Sequence, residues 1–273
     1  MQLGRSVQKF YDENVKTDDL NHRNESRIIH LRKFNNWVKS VLIDSIKKND
    51  GGKIVLDLCC GKGGDIRKWI KFGAEDVHFV DFSKKSIDEC RQRYNNTKQQ
   101  ICSLPKFKAS FIVADVGKEN IYKNLSNVTY DVVSCQFALH YFFGEMETLN
   151  CALENACSKI KPGGYFIGTI PNANQIVLKM RNNNTLSFGN EIYNICFDDT
   201  LSNQPPLLNA KYFFELEGCV NCPEYLVYFP FLIKLLEKYN LKCTLNQSFC
   251  DFLYSNYKNI EYKKLAKFMD IFD

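Results

Sequence analysis

Residues 53–65 read KIVLDLCCGKGGD, and this stretch decides the fold. Its apolar run has the length of one buried strand, and the helical pattern IRKWIKFG follows the glycine-rich turn. Glycines at such a turn let the backbone approach a ligand, and the following helix presents free N–H groups. The stretch therefore predicts a strand, a ligand-binding turn and a helix of an α/β fold.

The alternation of strand and helix continues on both sides of this stretch. An amphipathic helix is predicted over 27–47, and Gly51-Gly52 would end it. A second helix is predicted at SIDECRQRYNN, with Ser86 as its N-cap, and a third at CALENACSKIKPGG. Further strands are predicted at DVHFVDFS, FKASFIVADV, YDVVSCQFAL and GGYFIGTIP. Strands that are apolar on both faces indicate a parallel sheet between two layers of helices. We therefore predict a doubly wound, mostly parallel α/β sheet.

The chain is long enough for one large domain with additions. Residues 1–26 are polar and are predicted to form a flexible N-terminal arm, so a single domain would occupy 27–273. The alternation breaks after the fifth strand, and 172–223 is predicted to be an insert near the strand ends, where substrate-specific structure is commonly added. The prediction ends with a helix at FPFLIKLLEKYN, a strand at CTLNQSF and a basic helix over 257–273.

Composition excludes several classes of protein. With 45% apolar and 14% aromatic residues the chain is globular, which rules out collagen-like and wholly disordered chains. The net charge of +5 would not repel a polyanionic partner. Because no apolar stretch approaches the roughly 18 residues of a membrane span, and the start lacks an apolar signal core, we expect a soluble protein with no membrane partner.

The twelve cysteines mostly lie in apolar runs, which favours free buried thiols over a disulfide framework. Cys219 and Cys222 form a single C-x-x-C, but a structural zinc site needs a second ligand pair at matching spacing. We therefore expect no metal.

Three acids at predicted strand ends stand beside the glycine turn, which contains Cys59 and Gly61. Asp81 ends the second strand, 24 residues after Asp57, and Asp115 ends the third. Nucleoside ligands bind at the carboxyl ends of parallel strands, and a carboxylate at this separation can accept both ribose hydroxyls. The pattern predicts a nucleoside site, although Cys59 replaces the first glycine of a dinucleotide turn and disfavours a nicotinamide dehydrogenase.

Five motifs resemble the mRNA cap guanine-N7 methyltransferase family, part of the class I S-adenosylmethionine-dependent methyltransferases. They are FNNWVK, GKGGD, QFALHY, TIPN and CPEYLVYFP, and the resemblance runs from about Val7 to Phe252. It implies a Rossmann-like class I methyltransferase fold with a cap-binding insert, and methyl transfer from S-adenosylmethionine to N7 of the terminal guanosine of 5'-capped RNA. It also implies a nuclear location, beside transcription or capping machinery, or a cytoplasmic location if the chain serves a virus or pathogen that transcribes there.

The resemblance assigns a cofactor site. Lys39 would reach the carboxylate end of S-adenosylmethionine, Asp81 its ribose and Asp115 its adenine edge. The set implied by the resemblance and the turn is Lys39, Asp57, Cys59, Gly61, Asp81, Asp115, Gln136 and Tyr141.

The resemblance also assigns a cap site. Phe137, His140, Tyr141 and Pro171 would surround one base, with Phe213 as a further aromatic wall. Lys62 and Arg93 would contact phosphates, a role that suits their charge, while Asn35 and Asn36 would lie against cofactor and cap.

Glu224 is the acid that the guanine edge would require, because guanine presents N1–H and N2–H side by side and a carboxylate accepts both. Guanine N7 already holds a free lone pair, so we predict no general base and assign Glu224 as an electrostatic stabiliser. The alternative for Glu224 is an ordinary acid at a helix start, where it would complement the helix dipole.

Two other functions remain open. Another S-adenosylmethionine-dependent methyltransferase, acting on a different RNA or a small molecule, would share the cofactor site and differ at FNNWVK, His140 and Glu224. A non-catalytic subunit would keep the fold alone, and retention of Lys39, Asp81 and Asp115 argues against it. The family also implies a further strand with a cap-facing tyrosine, from which the helical pattern of 257–273 departs; we therefore expect either a truncated chain or another element at that edge.

Overall fold

A computed structural model describes residues 26–47, 53–100, 107–123, 125, 128–183, 185–198 and 204–272. The predicted arm therefore lies outside the described residues, except for Ser26, and so does Gly51-Gly52. Within the described ranges, no helix combines the length and the apolar character needed to cross a membrane.

The central sheet has five parallel strands in the order β3-β2-β1-β4-β5. The order reverses beside β1, so the carboxyl end of β1 lies at the switch point where ligands bind in such sheets. The predicted doubly wound, mostly parallel sheet is confirmed. Its strands are β1 Ile54–Leu58, β2 Asp76–Asp81, β3 Lys108–Val113, β4 Tyr130–Gln136 and β5 Ile160–Thr169.

Helices cover both faces of this sheet, and each face has its own apolar cluster. One cluster contains Trp37, Trp69 and Phe79, and the other contains Leu56, Leu149 and Leu153. The helices are α1 Ile29–Ser45, α2 Ile66–Phe72, α3 Lys84–Gln100, α4 Met146–Cys157, α5 Ala173–Asn183, α6 Phe229–Glu237, α7 Phe249–Asn256 and α8 Ile260–Met269, with 3₁₀ turns at Ile121–Lys123 and Leu139–Phe142.

A second, antiparallel sheet follows α5, with a small apolar cluster between them. Its strands, in spatial order, are β6 Ser187–Gly189, β7 Tyr193–Phe197, β8 Lys211–Leu216 and β9 Val220–Tyr225. The sheet reaches two residues past the predicted end of the insert at 223. Glu224 therefore lies on β9, and the alternative that it begins a helix is wrong, since α6 begins at Phe229.

Three local predictions are also wrong. The hydroxyl of Ser83, not of Ser86, accepts the N–H of Ser86 at 3.1 Å near the start of α3, and Ser86 itself is buried within the helix. Asp115 lies two residues beyond the end of β3. The CTLNQSF segment forms no strand, because its exposed residues pair with no strand of the described chain and Ser248 instead caps α7 by accepting the N–H of Asp251 at 3.1 Å.

Candidate active site

The turn after β1 has left-handed backbone at three positions. The φ angles of Cys59, Gly61 and Gly63 are 54°, 52° and 70°. A Cβ added to Gly61 would meet no atom within 4 Å, so the space beside it is open to a ligand. A Cβ on Gly63 would lie 2.6 Å from both Cys90 Sγ and Ile66 Cδ1. Packing therefore requires glycine at 63, and the open space at 61 can admit a ligand.

Gly63→Ala should lower the free energy of unfolding by about 2–4 kcal/mol, from left-handed strain together with overpacking. Gly61→Ala is the matched control and should cost about 1 kcal/mol, because it adds strain without a clash. Urea unfolding of both variants measures the difference. Equal losses would show that the contacts of Gly63 do not matter.

Asp81, the last residue of β2, holds the turn in place. Its Oδ2 accepts the N–H of Gly61 at 2.9 Å and its Oδ1 accepts the N–H of Ser83 at 2.9 Å. The N–H of Cys60 adds a bond to the carbonyl of Val80 at 3.1 Å. Each carboxylate oxygen can accept more than one hydrogen bond. Asp81 is thus oriented by the backbone while retaining the capacity to accept hydroxyls of a ligand.

Asp115 follows β3, which pairs with β2, and Gln136 ends β4, which pairs with β1. The N–H of Ala114 donates to the carbonyl of Asp81 at 3.0 Å, which ties the segment before Asp115 to the end of β2. The carboxylate of Asp115 lies 2.6 Å from the ammonium of Lys118. Gln136 Oε1 accepts from the hydroxyl of Thr169 at 3.1 Å, so its side chain bridges the ends of β4 and β5.

A cluster of two cations and one anion lies beside the turn. The ammonium groups of Lys39 and Lys68 both stand 2.8 Å from Asp65 Oδ1, and Lys68 also donates to Asn36 Oδ1 at 3.1 Å. Burial alone would raise the pKa of Asp65, but the two ammonium groups outweigh it and hold the pKa below its usual range. The Lys39 ammonium is 4.0 Å from where a Cβ on Gly64 would stand. Two ammoniums sharing one carboxylate leave an excess positive charge next to the turn, which suits an anionic ligand group.

Asp57 connects β1 to α2. Its Oδ2 accepts the indole N–H of Trp69 at 2.9 Å, and the carboxylate is buried. Burial, followed by repulsion from Asp65, raises the pKa of Asp57 to about 7. The described contacts of Asp57 therefore give it a structural role beneath the turn.

Asp57→Asn should gain stability relative to the wild type as pH rises. An aspartate in an unfolded chain titrates at about 3.9, so the higher folded pKa means that Asp57 contributes stability at low pH and loses it between about pH 4 and 7. Asparagine does not ionise. The stability difference should shift by about 2 kcal/mol in favour of the variant between pH 5 and 8, measured by urea unfolding. A difference that stays constant with pH would contradict this titration.

Glu224 is the centre of a second cluster of polar side chains. Its Oε2 accepts the hydroxyl of Tyr212 at 2.6 Å, and its Oε1 accepts the hydroxyl of Tyr141 at 3.2 Å. His140 Nε2 lies 3.3 Å from Oε1, without hydrogen-bond alignment. Glu224 is only 4% exposed. Burial alone would raise the pKa of Glu224, yet the contacts with His140, Tyr212 and Tyr141 outweigh it, and the pKa lies below its ordinary value. These contacts therefore favour the ionised form of the buried carboxylate.

The segment after β4 brings this cluster to the end of the central sheet. Phe137 has φ of 57°, and its N–H donates to the carbonyl of Thr169 at 3.0 Å, so the chain turns into the 3₁₀ helix that carries His140 and Tyr141. The ring of Phe137 packs edge-on against Phe249 at 6.0 Å. Neither ring nitrogen of the buried His140 has an aligned hydrogen bond in the described chain, although Nε2 lies 3.3 Å from Glu224 Oε1.

A cavity of about 500 Å³ reaches Glu224 from the insert. Pro171, Tyr212 and Phe214 line it, together with residues of α1, α5, β6 and β7. Phe213, expected as an aromatic wall, is 40% exposed and projects from the opposite face of β8, because successive strand residues alternate in direction. The aromatic side chains that line the cavity from β8 are those of Tyr212 and Phe214.

Three other residues expected to bind the cap, Lys62, Arg93 and Asn35, do not line this cavity. The Lys62 ammonium is 3.2 Å from Glu89 Oε2, Arg93 is half-buried on α3, and Asn35 is half-buried on α1. Sequence reasoning missed Asp65, Lys68 and Tyr212 as members of the clusters. The i,i+3 spacing of Asp65 and Lys68 is a sequence signal for an ion pair on a helix. The equal separation of Tyr212 and Glu224 from Gly218, which lies in the turn of their hairpin, is a sequence signal for cross-strand pairing.

The cysteines of the described chain are free thiols. Contact with Cys135, together with burial, raises the pKa of Cys59, so its side chain in the turn is a neutral thiol. Cys219 is exposed, whereas Cys222 is buried with its sulfur 3.5 Å from the hydroxyl of Tyr141. No cluster of three or more metal-ligating residues occurs in the described ranges.

The parallel sheet, with a glycine turn and acids at its switch point, defines the class of protein. A crystal structure of an S-adenosylmethionine-dependent methyltransferase from Clostridium acetobutylicum has a similar fold, with a TM-score of 0.52 at 14% identity, covering 90% of this chain and 93% of that one. The fold is that of the class I methyltransferases.

The amino-acid sequence narrows this class to one family. A family model for the mRNA (guanine-N(7))-methyltransferase domain matches residues 1–271. The mRNA cap guanine-N(7) methyltransferase of Caenorhabditis elegans is 43% identical over 241 residues, covering 84% of this chain and 62% of the relative. That of Drosophila melanogaster is 40% identical over 265 residues, covering 92% of this chain and 61% of the relative. The chain belongs to the mRNA (guanine-N(7))-methyltransferase domain family, and it spans about three fifths of the length of these two relatives.

Proposed function

We propose that the chain is the catalytic domain of an mRNA cap guanine-N7 methyltransferase. It would transfer the methyl group of S-adenosylmethionine to N7 of the terminal guanosine of capped RNA. The observation that carries this proposal is the buried carboxylate of Glu224, which accepts the hydroxyls of Tyr212 and Tyr141 where the cavity of the insert meets the end of the central sheet. Family membership supports the same reaction.

The described residues fit the methyl donor. The excess positive charge at Lys39 suits its carboxylate, the oriented oxygens of Asp81 suit its ribose hydroxyls, and open space lies beside Gly61. Asp115, after the next strand, would bind the adenine edge, and Gln136 would line the pocket. When bound, the donor supplies an electrophilic methyl group on a sulfonium.

Guanine N7 can attack without losing a proton, so none of the described residues is assigned as a general base. Glu224 would accept N1–H and N2–H of the guanine and fix its orientation, and orientation is a large part of the rate gain of such a reaction. The carboxylate gains strength as the base becomes cationic, so it binds the transition state better than the substrate. The faces of Phe137 and Tyr141 would add cation–π attraction.

The decisive experiment is single-turnover transfer of labelled methyl from S-adenosylmethionine to GpppA and to uncapped RNA. Label at N7 of GpppA, and none on uncapped RNA, is the expected result. Label on uncapped RNA would indicate a different RNA methyltransferase. Donor binding by calorimetry without transfer would favour a non-catalytic subunit, and absence of donor binding would overturn the methyltransferase assignment.

We also propose that this activity operates in the nucleus, beside the transcription or capping machinery that produces its substrate. The family's reaction on capped mRNA supports this location. Microscopy of the tagged chain in its own cells tests it. A signal confined to the cytoplasm would overturn the proposal.

A further inference from the structure

The hydroxyl of Tyr212 is unusual for its surroundings. The ring is 2% exposed, packs at 5.9 Å from the ring of Phe197, and belongs to the apolar cluster between α5 and the second sheet. Phenylalanine would fill such a position equally well. In the described chain, Glu224 provides the hydrogen bond of this hydroxyl, at 2.6 Å. A buried phenol hydroxyl requires such a partner, so the presence of tyrosine is explained by Glu224.

Tyr212 and Glu224 are direct cross-strand partners on β8 and β9. Residues paired in this way project from the same face of the sheet. Both side chains line the same cavity. The contact between them is therefore fixed by strand pairing, and residues on paired strands are held more rigidly than residues on a loop.

The two oxygens of Glu224 are held by different parts of the fold. Oε1 contacts His140 and Tyr141, which lie on the 3₁₀ helix at the end of the central sheet. Oε2 contacts Tyr212 of the insert. Without the second contact the carboxylate could rotate about its terminal torsion, which is broad for glutamate. Tyr212 thus fixes the plane of the carboxylate.

We infer that Tyr212 is a positioning residue, which orients the carboxylate of Glu224 toward the N1–H and N2–H edge of guanine. This inference rests on the proposed function. Each oxygen keeps acceptor capacity after its contact with a tyrosine, so the oriented carboxylate can still receive both guanine donors.

Tyr212→Phe removes the hydroxyl and keeps the ring. We expect KM for GpppA to rise about 10-fold, as loss of a hydrogen bond to a charged group predicts, while the affinity for S-adenosylmethionine changes less than about twofold. The matched control is Tyr122→Phe, which removes a phenol hydroxyl bonded to the carbonyl of Asn155 on α4. The control should leave both values unchanged.

A double variant separates positioning from general stabilisation. If Tyr212 acts through Glu224, then Tyr212→Phe combined with Glu224→Gln should be no worse than Glu224→Gln alone. Additive losses, or an equal loss of donor affinity in Tyr212→Phe, would overturn the inference while leaving the proposed function intact. Absence of GpppA methylation by the wild type would overturn both.

Urea unfolding establishes that Tyr212→Phe is folded. If it is not, replacement of Tyr212 by para-aminophenylalanine is the second variant, because it keeps the ring and places an N–H donor where the hydroxyl stood. A KM for GpppA within about threefold of the wild type would support positioning by hydrogen bonding. A rise of 10-fold or more in this variant, if it is folded, would contradict the inference.

Discussion

Glu224→Gln should lower kcat/KM for GpppA about 100-fold, while the affinity for S-adenosylmethionine stays within about twofold. Glutamine offers one acceptor oxygen in place of two, and its NH₂ group would face a donor of guanine. Loss of a charge-assisted hydrogen bond costs about 1.5–3 kcal/mol, and the neutral amide also loses the attraction to guanine as the base becomes cationic. Single-turnover rates with GpppA, and calorimetry with the donor, measure the two effects.

Glu215→Gln is the matched control, since Glu215 is an exposed glutamate on β8 of the same sheet. It should leave both values unchanged. Equal losses of methyl transfer and donor affinity in Glu224→Gln would count against the assigned role, because they would indicate general damage to the site.

Asp81→Ala should weaken donor binding more than about 100-fold, because it removes the expected ribose acceptor and also releases the turn. It should lower the free energy of unfolding by about 2–4 kcal/mol, since the N–H groups of Gly61 and Ser83 lose their charged acceptor. Calorimetry gives the affinity, and urea unfolding gives the stability.

Asp76→Ala, at the opposite end of β2, is the control for Asp81→Ala. Asp76 lies at the amino end of the strand, away from the turn, so its loss should not change donor affinity. Donor affinity retained in Asp81→Ala, in a protein that is still folded, would contradict the assignment of Asp81.

The central sheet was predictable because local pattern and global fold agree there. Each parallel strand is buried on both faces and reads as a short apolar run, and each covering helix has an amphipathic period. The strand prediction for the CTLNQSF segment failed because local pattern and global fold disagree there. It has a composition compatible with a strand, but strand formation requires a neighbour, and its exposed residues have none in the described chain.

The three acids of the candidate site also show that local sequence predicts a residue's position in the strand pattern but not its contacts. Asp57, Asp81 and Asp115 occupy similar places in the sequence pattern, yet their contacts differ. Asp81 holds the turn, whereas Asp57 accepts the indole N–H of Trp69 and has a raised pKa. Burial and partners decide these roles, and they arise from segments that are distant in sequence.

The sequence by itself determined the doubly wound sheet, the glycine turn after β1 and the family, because each depends on local period or on motifs of adjacent residues. The tertiary structure decided which side chains form the site. Strand pairing set Tyr212 opposite Glu224, alternation turned Phe213 away from the cavity, and the contact of α1 with α2 brought Lys39 to Asp65. These contacts depend on strand register and on helix packing, and of the three only the pairing of Tyr212 with Glu224 leaves a signal in the sequence, their equal separation from Gly218.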